Sequence, residues 1–367
     1  MDTVSTRAFL LEHMARYPAA RLRDLRKALY QSTFGCGHLV ADPSAAAARI
    51  REETLTAADC RAPRPLDGPW QRVPLGILRD GLTAETLAAA FARSAALPHE
   101  DTAALEARLS VLMTLIREGA LPFSVTEATA ELAAWRAAGY PACHHSEAYR
   151  AAYRPAYRVL HTTYVRLLPL LTAIDRALAA RERVLLAIEG GAGSGKSTLA
   201  ALLADLYGGA VFHADDFFLR PEQRTEARFS QPGGNLDRER LEAELLSPLR
   251  WGEAGTYRPF DCHTMALSAP RAFVPARLNI VEGSYSFHPT LASYYDLSVF
   301  LEVSAGTQRR RILERNGPTW GQRFFDRWIP LENVYFRETD IRTRCTLTLA
   351  EDPASAVRED IEKGGRT

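Results

Sequence analysis

The chain has 367 residues, of which 47% are hydrophobic and 24% charged, and its formal net charge is +1. Such a composition is typical of a folded, water-soluble protein, and the length favours two domains over one. A net charge this close to zero produces no long-range field that would favour nucleic acid or an anionic membrane. We therefore expect neither kind of partner, and homo-oligomer formation stays open.

Five cysteines are scattered along the sequence without a Cys-x-x-Cys pair. An odd number at irregular spacing is typical of a reduced protein rather than of a disulfide scaffold. The sequence also has no apolar run approaching about 18 residues and no leader in which basic residues precede an apolar stretch. These features predict a cytoplasmic location.

Residues 1–146 predict a mostly helical N-terminal domain of unassigned role. Thr83, Asp101 and Ser124 can each cap a helix, because their side-chain oxygens accept the free N–H groups of a first turn. Residues 147–182 continue with an apolar stripe at helical spacing, which predicts a helical connector to the second domain.

One stretch of the N-terminal region combines paired glycines with polar side chains that could do chemistry. Gln31 and His38 flank Gly35 and Gly37, and one interpretation makes both part of a site. The simpler interpretation, which we favour, is a glycine that ends a helix, a common arrangement.

A second stretch contains Cys143, His144 and His145. Together with Cys36 and His38 these residues could bind a metal, since zinc takes such ligands. Adjacent histidines do not easily face one ion, and the spacing fits a helix that begins after a capping Ser146 equally well. We favour the helix.

The second domain, residues 183–367, begins with a phosphate-binding loop. An apolar run, Val184–Ile188, predicts a strand buried on both faces, and leucines at helical spacing follow the pattern G-x-x-x-x-G-K-S. Glycines let the backbone turn its N–H groups inward, where they hold phosphate with the help of the helix dipole. Lys196 adds a charge at the phosphates, and Ser197 offers a hydroxyl to Mg²⁺. The predicted ATP-binding residues are Gly190, Gly191, Ala192, Gly193, Ser194, Gly195, Lys196, Ser197 and Thr198.

Apolar and helical stretches alternate through the second domain. Such alternation predicts an α/β fold with a parallel five-stranded sheet flanked by helices. In a sheet of this kind ligands bind beyond the carboxyl ends of the strands. The predicted strands are 184–188, 210–212, 278–281, 297–303 and 345–349; the helices between them are 198–207, 236–249 and 305–315.

Acidic residues follow two of these strands. Asp215 and Asp216 come after the second strand, and Glu282 ends the third, with Tyr285 shortly after it. Carboxylates at strand ends that face a phosphate loop suit a catalytic base or Mg²⁺ ligands. We predict a metal site formed by Ser197, Glu282 and Asp215, and substrate contacts from Asp216 and Tyr285.

The last predicted helix carries several arginines. Arg311 and Arg315 share a face, and arginines in such a place can close over a transferring phosphate and neutralise its charge. We predict both as catalytic, together with Lys196. For Arg309 and Arg310 a solvated basic face is an equally good interpretation. The Asn-Gly-Pro stretch at 316–318 predicts a turn that ends this helix.

From residue 184 to about 350 the sequence resembles the uridine kinase and phosphoribulokinase group of P-loop kinases. The stretch His-Ala-Asp-Asp-Phe-Phe, 213–218, resembles the group's motif of an acid, Ser or Asp, Phe, and Phe or Tyr. Glu282-Gly283 resembles its Glu-Gly pair. The resemblance implies that Asp215 is the catalytic base and that Glu282 contributes to the Mg²⁺ site.

Two further stretches, Asn235-Leu236-Asp237 and Pro259-Phe260-Asp261, resemble acceptor-binding segments of that group. The resemblance implies that Asp237 holds ribose hydroxyls and that Phe260 packs on a nucleoside base, with His263 as a nearby base contact. Phe260 lacks the hydroxyl usual in the group, and residues 323–336 match no uridine kinase segment, so the acceptor stays open.

The sequence thus predicts an ATP- and Mg²⁺-dependent kinase that phosphorylates a hydroxyl of a nucleoside-like or polyhydroxy small molecule. The alternative is a nucleotide-dependent switch or regulatory ATPase whose helical domain binds a partner protein. In a further hypothesis the N-terminal domain is a second catalytic or ligand-sensing unit that uses His38 or His144.

Overall fold

The computed structural model describes residues 3–36 and 43–350. The chain forms two compact units, the first ending at Leu168 and the second beginning at Pro169. His38 lies outside the described residues, so its predicted roles stay predictions. All five cysteines are free thiols.

The N-terminal unit is mostly helical. Its helices are α1 (Thr3–Arg16), α2 (Leu22–Phe34), α3 (Pro43–Thr56), α4 (Ala84–Ala95), α5 (Thr102–Arg117), α6 (Val125–Ala137) and α7 (Glu147–Tyr153), and a further helix, α8 (Thr162–Ala180), contains the division point. An antiparallel sheet is formed by β1 (Arg64–Pro65), β2 (Trp70–Pro74) and β3 (Tyr157–His161), in that order.

Capping and apolar spacing account for these helices. The predicted caps are all present, each side chain accepting a backbone N–H of the first turn: Thr83, Asp101 and Ser124. Leu25 and Leu29 of α2 are fully buried in one core cluster with Leu105 and Leu109 of α5. Since burying a leucine contributes about 1.5–3 kcal/mol, the shared apolar face holds these helices together.

The prediction that 147–182 is helical throughout is wrong, because a strand interrupts it. Helix α7 ends at Tyr153, where Arg154 adopts a left-handed φ of 42° and Pro155 follows. A residue before proline is disfavoured in the α conformation, so the helix does not continue. The chain then forms β3, which pairs with β2.

The C-terminal unit has nine strands and seven helices among its described residues. The strands are β4 (Val184–Gly190), β5 (Ala210–His213), β6 (Gly255–Tyr257), β7 (Phe260–Asp261), β8 (Ala266–Leu267), β9 (Arg271–Phe273), β10 (Leu278–Glu282), β11 (Leu297–Leu301) and β12 (Leu347–Leu349). The helices are α9 (Lys196–Tyr207), α10 (Glu226–Phe229), α11 (Arg238–Leu241), α12 (Ser247–Trp251), α13 (Ala305–Arg323), α14 (Ile329–Thr339) and α15 (Ile341–Arg344).

Five of these strands form a parallel sheet in the order β12–β11–β4–β10–β5, and β6–β9 and β7–β8 form short antiparallel pairs. All seven residues of the central β4 are buried, as the apolar run predicts. The predicted α/β fold, a five-stranded parallel sheet flanked by helices and preceded by a mostly helical region, is confirmed.

The register of the sheet places several strand ends side by side. Glu282, the last residue of β10, pairs with Ile188 of β4 on one side and with His213 of β5 on the other. The chain segments that leave these three strands therefore begin at one edge of the sheet.

The last helical region is longer than predicted. Helix α13 continues to Arg323, but Gly317 has a non-helical φ of 69° and Pro318 follows it, so the predicted turn is present as a break within the helix. A π-helical segment, Phe324–Trp328, then joins α13 to α14. Within the described residues, no helix combines the length and apolar character needed to cross a membrane.

Candidate functional site

The phosphate-binding loop joins β4 to α9 at the shared edge of the sheet. Its conformation requires glycine at Gly190, whose φ is 146° and where an added Cβ would lie 2.7 Å from the carbonyl oxygen of Leu301. Gly195 caps α9 in the left-handed conformation with a φ of 97°. The predicted loop therefore has the strand–turn–helix context in which backbone N–H groups and a helix N-terminus create an anion site.

The lysine of the loop is folded over the backbone. Lys196 Nζ donates to the carbonyl oxygens of Gly190 at 2.9 Å and Gly191 at 3.0 Å, and it lies 3.5 Å from the hydroxyl of Ser284. These contacts hold a positive charge at the mouth of the loop. A phosphate entering there would exchange carbonyl contacts of the ammonium for a charge-assisted hydrogen bond.

Ser197 and Glu282, two of the predicted metal ligands, are in direct contact. The Ser197 hydroxyl donates to Glu282 Oε1 at 2.9 Å, and the same oxygen lies 2.6 Å from Nδ1 of His213. The hydrogen bond from His213 helps to hold the pKa of Glu282 below its usual value, against the effect of burial. A hydroxyl and an ionised carboxylate at the mouth of a phosphate loop form the kind of oxygen donor set that Mg²⁺ takes.

Asp215 stands on the segment that follows β5, at the same edge. The residue is exposed to solvent, but protein atoms surround its carboxyl group and raise its pKa to about 6. Desolvation is the main cause, and the negative charges of Glu282 and Glu332 add to it, while Lys196 and His213 oppose the shift. Asp215 is thus close to the phosphate loop and to both neighbouring carboxylates.

Glu332 of α14 contacts the phosphate loop, which sequence reasoning did not anticipate. Both of its carboxylate oxygens accept the N–H of Ala192, at 2.9 and 3.1 Å, and Oε1 lies 2.7 Å from the Ser284 hydroxyl. The side chain is only 5% exposed. A carboxylate thus uses a backbone donor of the loop that a phosphate oxygen could otherwise take.

Glu189, the residue before the loop, is fully buried and was also missed. Its carboxylate accepts N–H groups of Gly190, Tyr285 and Phe287 at 3.0 Å each and the hydroxyl of Tyr335 at 3.2 Å. Burial raises its pKa to about 7. Glu189 therefore fixes the start of the loop to the segment after β10 and to α14. A charged residue at the end of an otherwise apolar strand was the available signal.

The two arginines predicted to act on the phosphate have different surroundings. Arg311 is buried and donates to the carbonyl oxygen of Gly193 at 2.9 Å, and Gln308, one turn earlier, donates to that of Ala192 at 2.9 Å. The guanidinium of Arg315 lies over the ring of Phe324 at 5.6 Å. In this structure Arg311 anchors the loop and Arg315 packs on an aromatic ring, so their catalytic roles stay predictions.

Among the predicted substrate contacts, Asp216 and Asp237 already have protein partners. Asp216 Oδ2 accepts from the hydroxyl of Tyr257 at 3.2 Å and from Arg271 at 3.3 Å. Asp237 is 2% exposed, and its Oδ1 caps α11 by accepting the N–H of Arg240 at 3.2 Å. Its Oδ2 is buried without a hydrogen-bond partner. The cap accounts for Asp237 structurally, and a role in holding hydroxyls stays a prediction.

The remaining predicted contacts divide between core and surface. Tyr285 and Phe260 are buried, at 2% and 5% exposed, and the guanidinium of Arg224 lies 5.3 Å from the centre of the Phe260 ring. His263 is exposed, in a turn held by Asp261, which accepts its N–H at 2.7 Å. Of these three predicted contacts, His263 is therefore the one that solvent reaches readily.

The N-terminal candidates have other partners than a metal. Gly35 caps α2, as the favoured interpretation predicted. Ser146 caps α7 by accepting the N–H of Tyr149 at 3.2 Å. The imidazole of His145 uses both nitrogens, on Asp24 and on Tyr157. Within the described residues, no three or more His, Cys, Asp or Glu side chains are grouped as a metal site.

Known proteins resemble the chain only in structure. No family model matches the chain, and no curated protein does. A possible uridine kinase from Bacillus stearothermophilus is similar in structure, with 21% identity over 49% of this chain and 99% of its own, and a TM-score of 0.38. A deoxyadenosine kinase from M. mycoides, solved with bound dATP, is 14% identical over 49% of this chain and 96% of its own, with a TM-score of 0.26. These values are low, so the function must be inferred from the site itself.

Proposed function

We propose that the C-terminal unit is an ATP-dependent kinase that transfers the γ-phosphoryl group to a hydroxyl of a nucleoside-like or polyhydroxy small molecule. The observation that carries this proposal is the 2.9 Å contact between the hydroxyl of Ser197 and the carboxylate of Glu282 at the mouth of the phosphate loop, with Asp215 at the same edge. A phosphate site, a metal-binding oxygen pair and a separate carboxylate are the parts that phosphoryl transfer needs.

Asp215 is the catalytic base in this proposal. A carboxyl with a pKa of about 6 is ionised at neutral pH and is still more basic than an ordinary aspartate, so it can accept the proton of an acceptor hydroxyl. Its position at the cleft surface leaves it accessible to that hydroxyl. Lys196 and the N–H groups of the loop offset the negative charge of the phosphates, and Arg311 holds the loop in shape through Gly193.

Ser197 and Glu282 would hold Mg²⁺. The ion, when bound, neutralises phosphate charge and orients the transferring group. His213 fits this arrangement because it donates to Glu282 Oε1 and so favours the ionised carboxylate that a metal requires.

The acceptor contacts belong to the segment between β5 and β10. Asp216, Tyr257 and Arg271 form a hydrogen-bonded group beside the base, and His263 is exposed. Hydroxyl and amide groups of a polar acceptor can pair with such side chains, which supports a polyhydroxy or nucleoside-like molecule.

A panel of nucleosides, vitamins and sugars, assayed for ATP-dependent phosphorylation, tests the proposal. For an accepted substrate, Asp215→Asn should lower kcat by about 10²–10⁴-fold, the usual contribution of a general base, and leave ATP affinity nearly unchanged. Asp59→Asn, an exposed aspartate paired with Arg61, is the matched control and should have full activity. Slow ADP release without any phosphorylated acceptor would favour the nucleotide-dependent switch instead.

A further inference from the structure

The N-terminal unit contains a cavity of about 400 Å³ that the kinase proposal does not use. This volume lies within the range of small-molecule sites. The lining includes apolar side chains, among them Phe91, Pro155 and Val159, and also polar and charged side chains from α2, α3, α7 and β3. Such a mixed lining suits a ligand with an organic body and a charged group.

A buried hydrogen-bonded chain forms the floor of this cavity. His145 and Tyr157 both line it, and Nε2 of His145 lies 2.7 Å from the Tyr157 hydroxyl. On the other side, His145 Nδ1 lies 2.9 Å from Oδ1 of Asp24, which is fully buried. Asp24 also accepts the N–H and the hydroxyl of Ser146, at 2.9 and 2.6 Å, so its carboxylate is firmly oriented.

These hydrogen bonds determine which atoms carry protons. They hold the pKa of Asp24 well below its usual value despite burial, and burial lowers the pKa of His145 to about 4. The imidazole is therefore neutral at pH 7, and it donates Nδ1–H to the carboxylate. Its Nε2 then accepts the proton of Tyr157, so the tyrosine oxygen presents a lone pair.

Gln31 extends the chain and is fixed by an arginine. Its Oε1 accepts both Nε and Nη2 of Arg72, at 3.0 and 2.8 Å. Both Oε1 and Nε2 lie 3.4 Å from the Tyr157 hydroxyl, and because that hydroxyl gives its proton to His145, the amide nitrogen is the group that can donate to it. The Arg72 guanidinium also lies over the Tyr157 ring, 4.9 Å from its centre. Burying so many polar groups is costly unless each has a partner, and a fully paired network of this kind is rigid.

Most of the charged side chains that line the cavity are positive. Four cationic side chains line the cavity, and its single carboxylate, Glu53, pairs with Arg158 at 2.7 and 3.0 Å. Lys27 donates to the carbonyl oxygen of Cys143 at 2.8 Å and keeps two further N–H groups. In the part of the chain that the structure describes, neither Arg49 nor Arg150 meets a carboxylate. Arg49 and Arg150 thus border the cavity without a carboxylate partner, and Lys27 adds a third positive charge that the buried Asp24 offsets in part.

We propose that this cavity is a second small-molecule site, which binds an organic anion whose phosphate or carboxylate group lies against Lys27, Arg49 and Arg150. The apolar side chains Phe91, Pro155 and Val159 pack against the body of the ligand. The floor of Asp24, His145, Tyr157 and Gln31 keeps the cavity open and rigid. The site is independent of the kinase proposal, because none of its residues belongs to the C-terminal unit.

Calorimetric titration of the full chain carrying Lys196→Ala tests the site, since that substitution weakens anion binding at the phosphate loop. The probes are glycerol 3-phosphate, glutarate and inorganic phosphate. We expect one organic probe to bind at one site per chain, and Arg49→Gln or Arg150→Gln to weaken it about tenfold, the effect of losing a charge-assisted hydrogen bond. Arg51 is an exposed arginine on α3, the helix of Arg49, and does not line the cavity. Arg51→Gln is therefore the matched control and should change the affinity by less than about twofold.

A second measurement locates the bound probe. In protein labelled with ¹⁵N histidine, the imidazole signals of His145 should shift on binding and those of His213 should not. Preference for glycerol 3-phosphate identifies a phosphate ester, and preference for glutarate a carboxylate. No binding by either organic probe, equal binding of inorganic phosphate, equal weakening in Arg51→Gln, or an unchanged His145 signal would each overturn the proposal.

Discussion

The two units each contain a histidine bound to a carboxylate, and the two pairs have opposite properties. In the N-terminal unit Asp24 and His145 are buried, and burial lowers the histidine pKa to about 4. In the C-terminal unit His213 is exposed, and the hydrogen bond that it donates to Glu282 raises its pKa. The distances are similar, 2.9 and 2.6 Å. The two histidine pKa values therefore move in opposite directions, because burial dominates for His145 and the hydrogen bond to a carboxylate dominates for the more exposed His213.

We expect the buried pair to stabilise the fold and the exposed pair to take part in chemistry. A neutral imidazole held between a carboxylate and a phenol orients its neighbours, and losing a member leaves buried groups unpaired. The exposed His213 can exchange its partner, so a metal or a phosphate can approach Glu282. A substitution in one pair should leave the properties of the other pair unchanged.

Among substitutions in the two pairs, the largest effect should come from Glu282→Gln, which removes a predicted metal ligand. We expect turnover on an accepted substrate to fall roughly 100-fold or more, because the amide binds Mg²⁺ weakly and no longer favours protonated His213. The free energy of unfolding should change by no more than about 1 kcal/mol, since the amide can still hydrogen-bond to Ser197. Steady-state kinetics and urea unfolding measure the two quantities. Full turnover at physiological Mg²⁺ would contradict the assignment.

Asp24→Asn should have the opposite profile. The backbone N–H of Arg21 also donates to this carboxylate, at 2.9 Å, besides the three hydrogen bonds from His145 and Ser146. The amide cannot accept all four, so the N-terminal unit should lose about 2–4 kcal/mol of stability. Catalysis by the C-terminal unit should not change below the unfolding transition. Calorimetric unfolding and the kinase assay check this. A drop in kcat without a drop in stability would show that the comparison is wrong.

Glu332→Gln should raise ATP affinity about tenfold. The substitution removes a negative charge next to Asp215 and weakens the acceptor that now holds the N–H of Ala192, which the triphosphate can then take. Equilibrium binding of ATP measures the effect. Glu338→Gln, on the same helix and paired with the exposed Arg337, is the control and should bind ATP as the parent does. Weaker binding in Glu332→Gln would mean that the carboxylate supports the loop rather than competing for it.

The smallest effect is a difference between two titrations. Pairing raises the pKa of His213, so its stabilising contribution is present at low pH and is lost as the pH rises through that value. Burial lowers the pKa of His145, so its contribution is complete above about 6.5 and declines as the pH falls towards about 4. Nuclear magnetic resonance of the imidazoles from pH 4 to 8 should show His213 protonated where His145 is neutral. Equal pKa values would remove the basis of the comparison.

How far the sequence predicts this molecule depends on the range of each contact. The strands, the phosphate loop and the caps are written in local spacing, and Asp215 and Glu282 could be placed because parallel strands bring their carboxyl ends to one edge. The prediction of a helical connector was wrong around Pro155. The proline was a local signal that a helix ends there, but the pairing of the next residues with β2, more than 80 residues earlier, leaves no trace in the local sequence pattern.

The missed residues share the same cause. Asp24 and His145 meet across 121 residues, and Glu332 reaches Ala192 across 140. Neither pair has a motif, so only the folded chain reveals it. Gln31 was a candidate in the sequence, but its contacts with Arg72 and Tyr157 span 41 and 126 residues, so the favoured helix-cap interpretation left it aside.

The break at Gly317 divides the contacts that α13 and α14 make with the phosphate loop. Before it, Gln308 and Arg311 grip loop carbonyls, and beyond it Glu332 holds a loop amide. The carbonyl oxygens of the loop are therefore held by one helical segment and its amide by another. A substitution that removes the contact from Glu332 should free the amide of Ala192 for a nucleotide and leave the contacts from Gln308 and Arg311 in place.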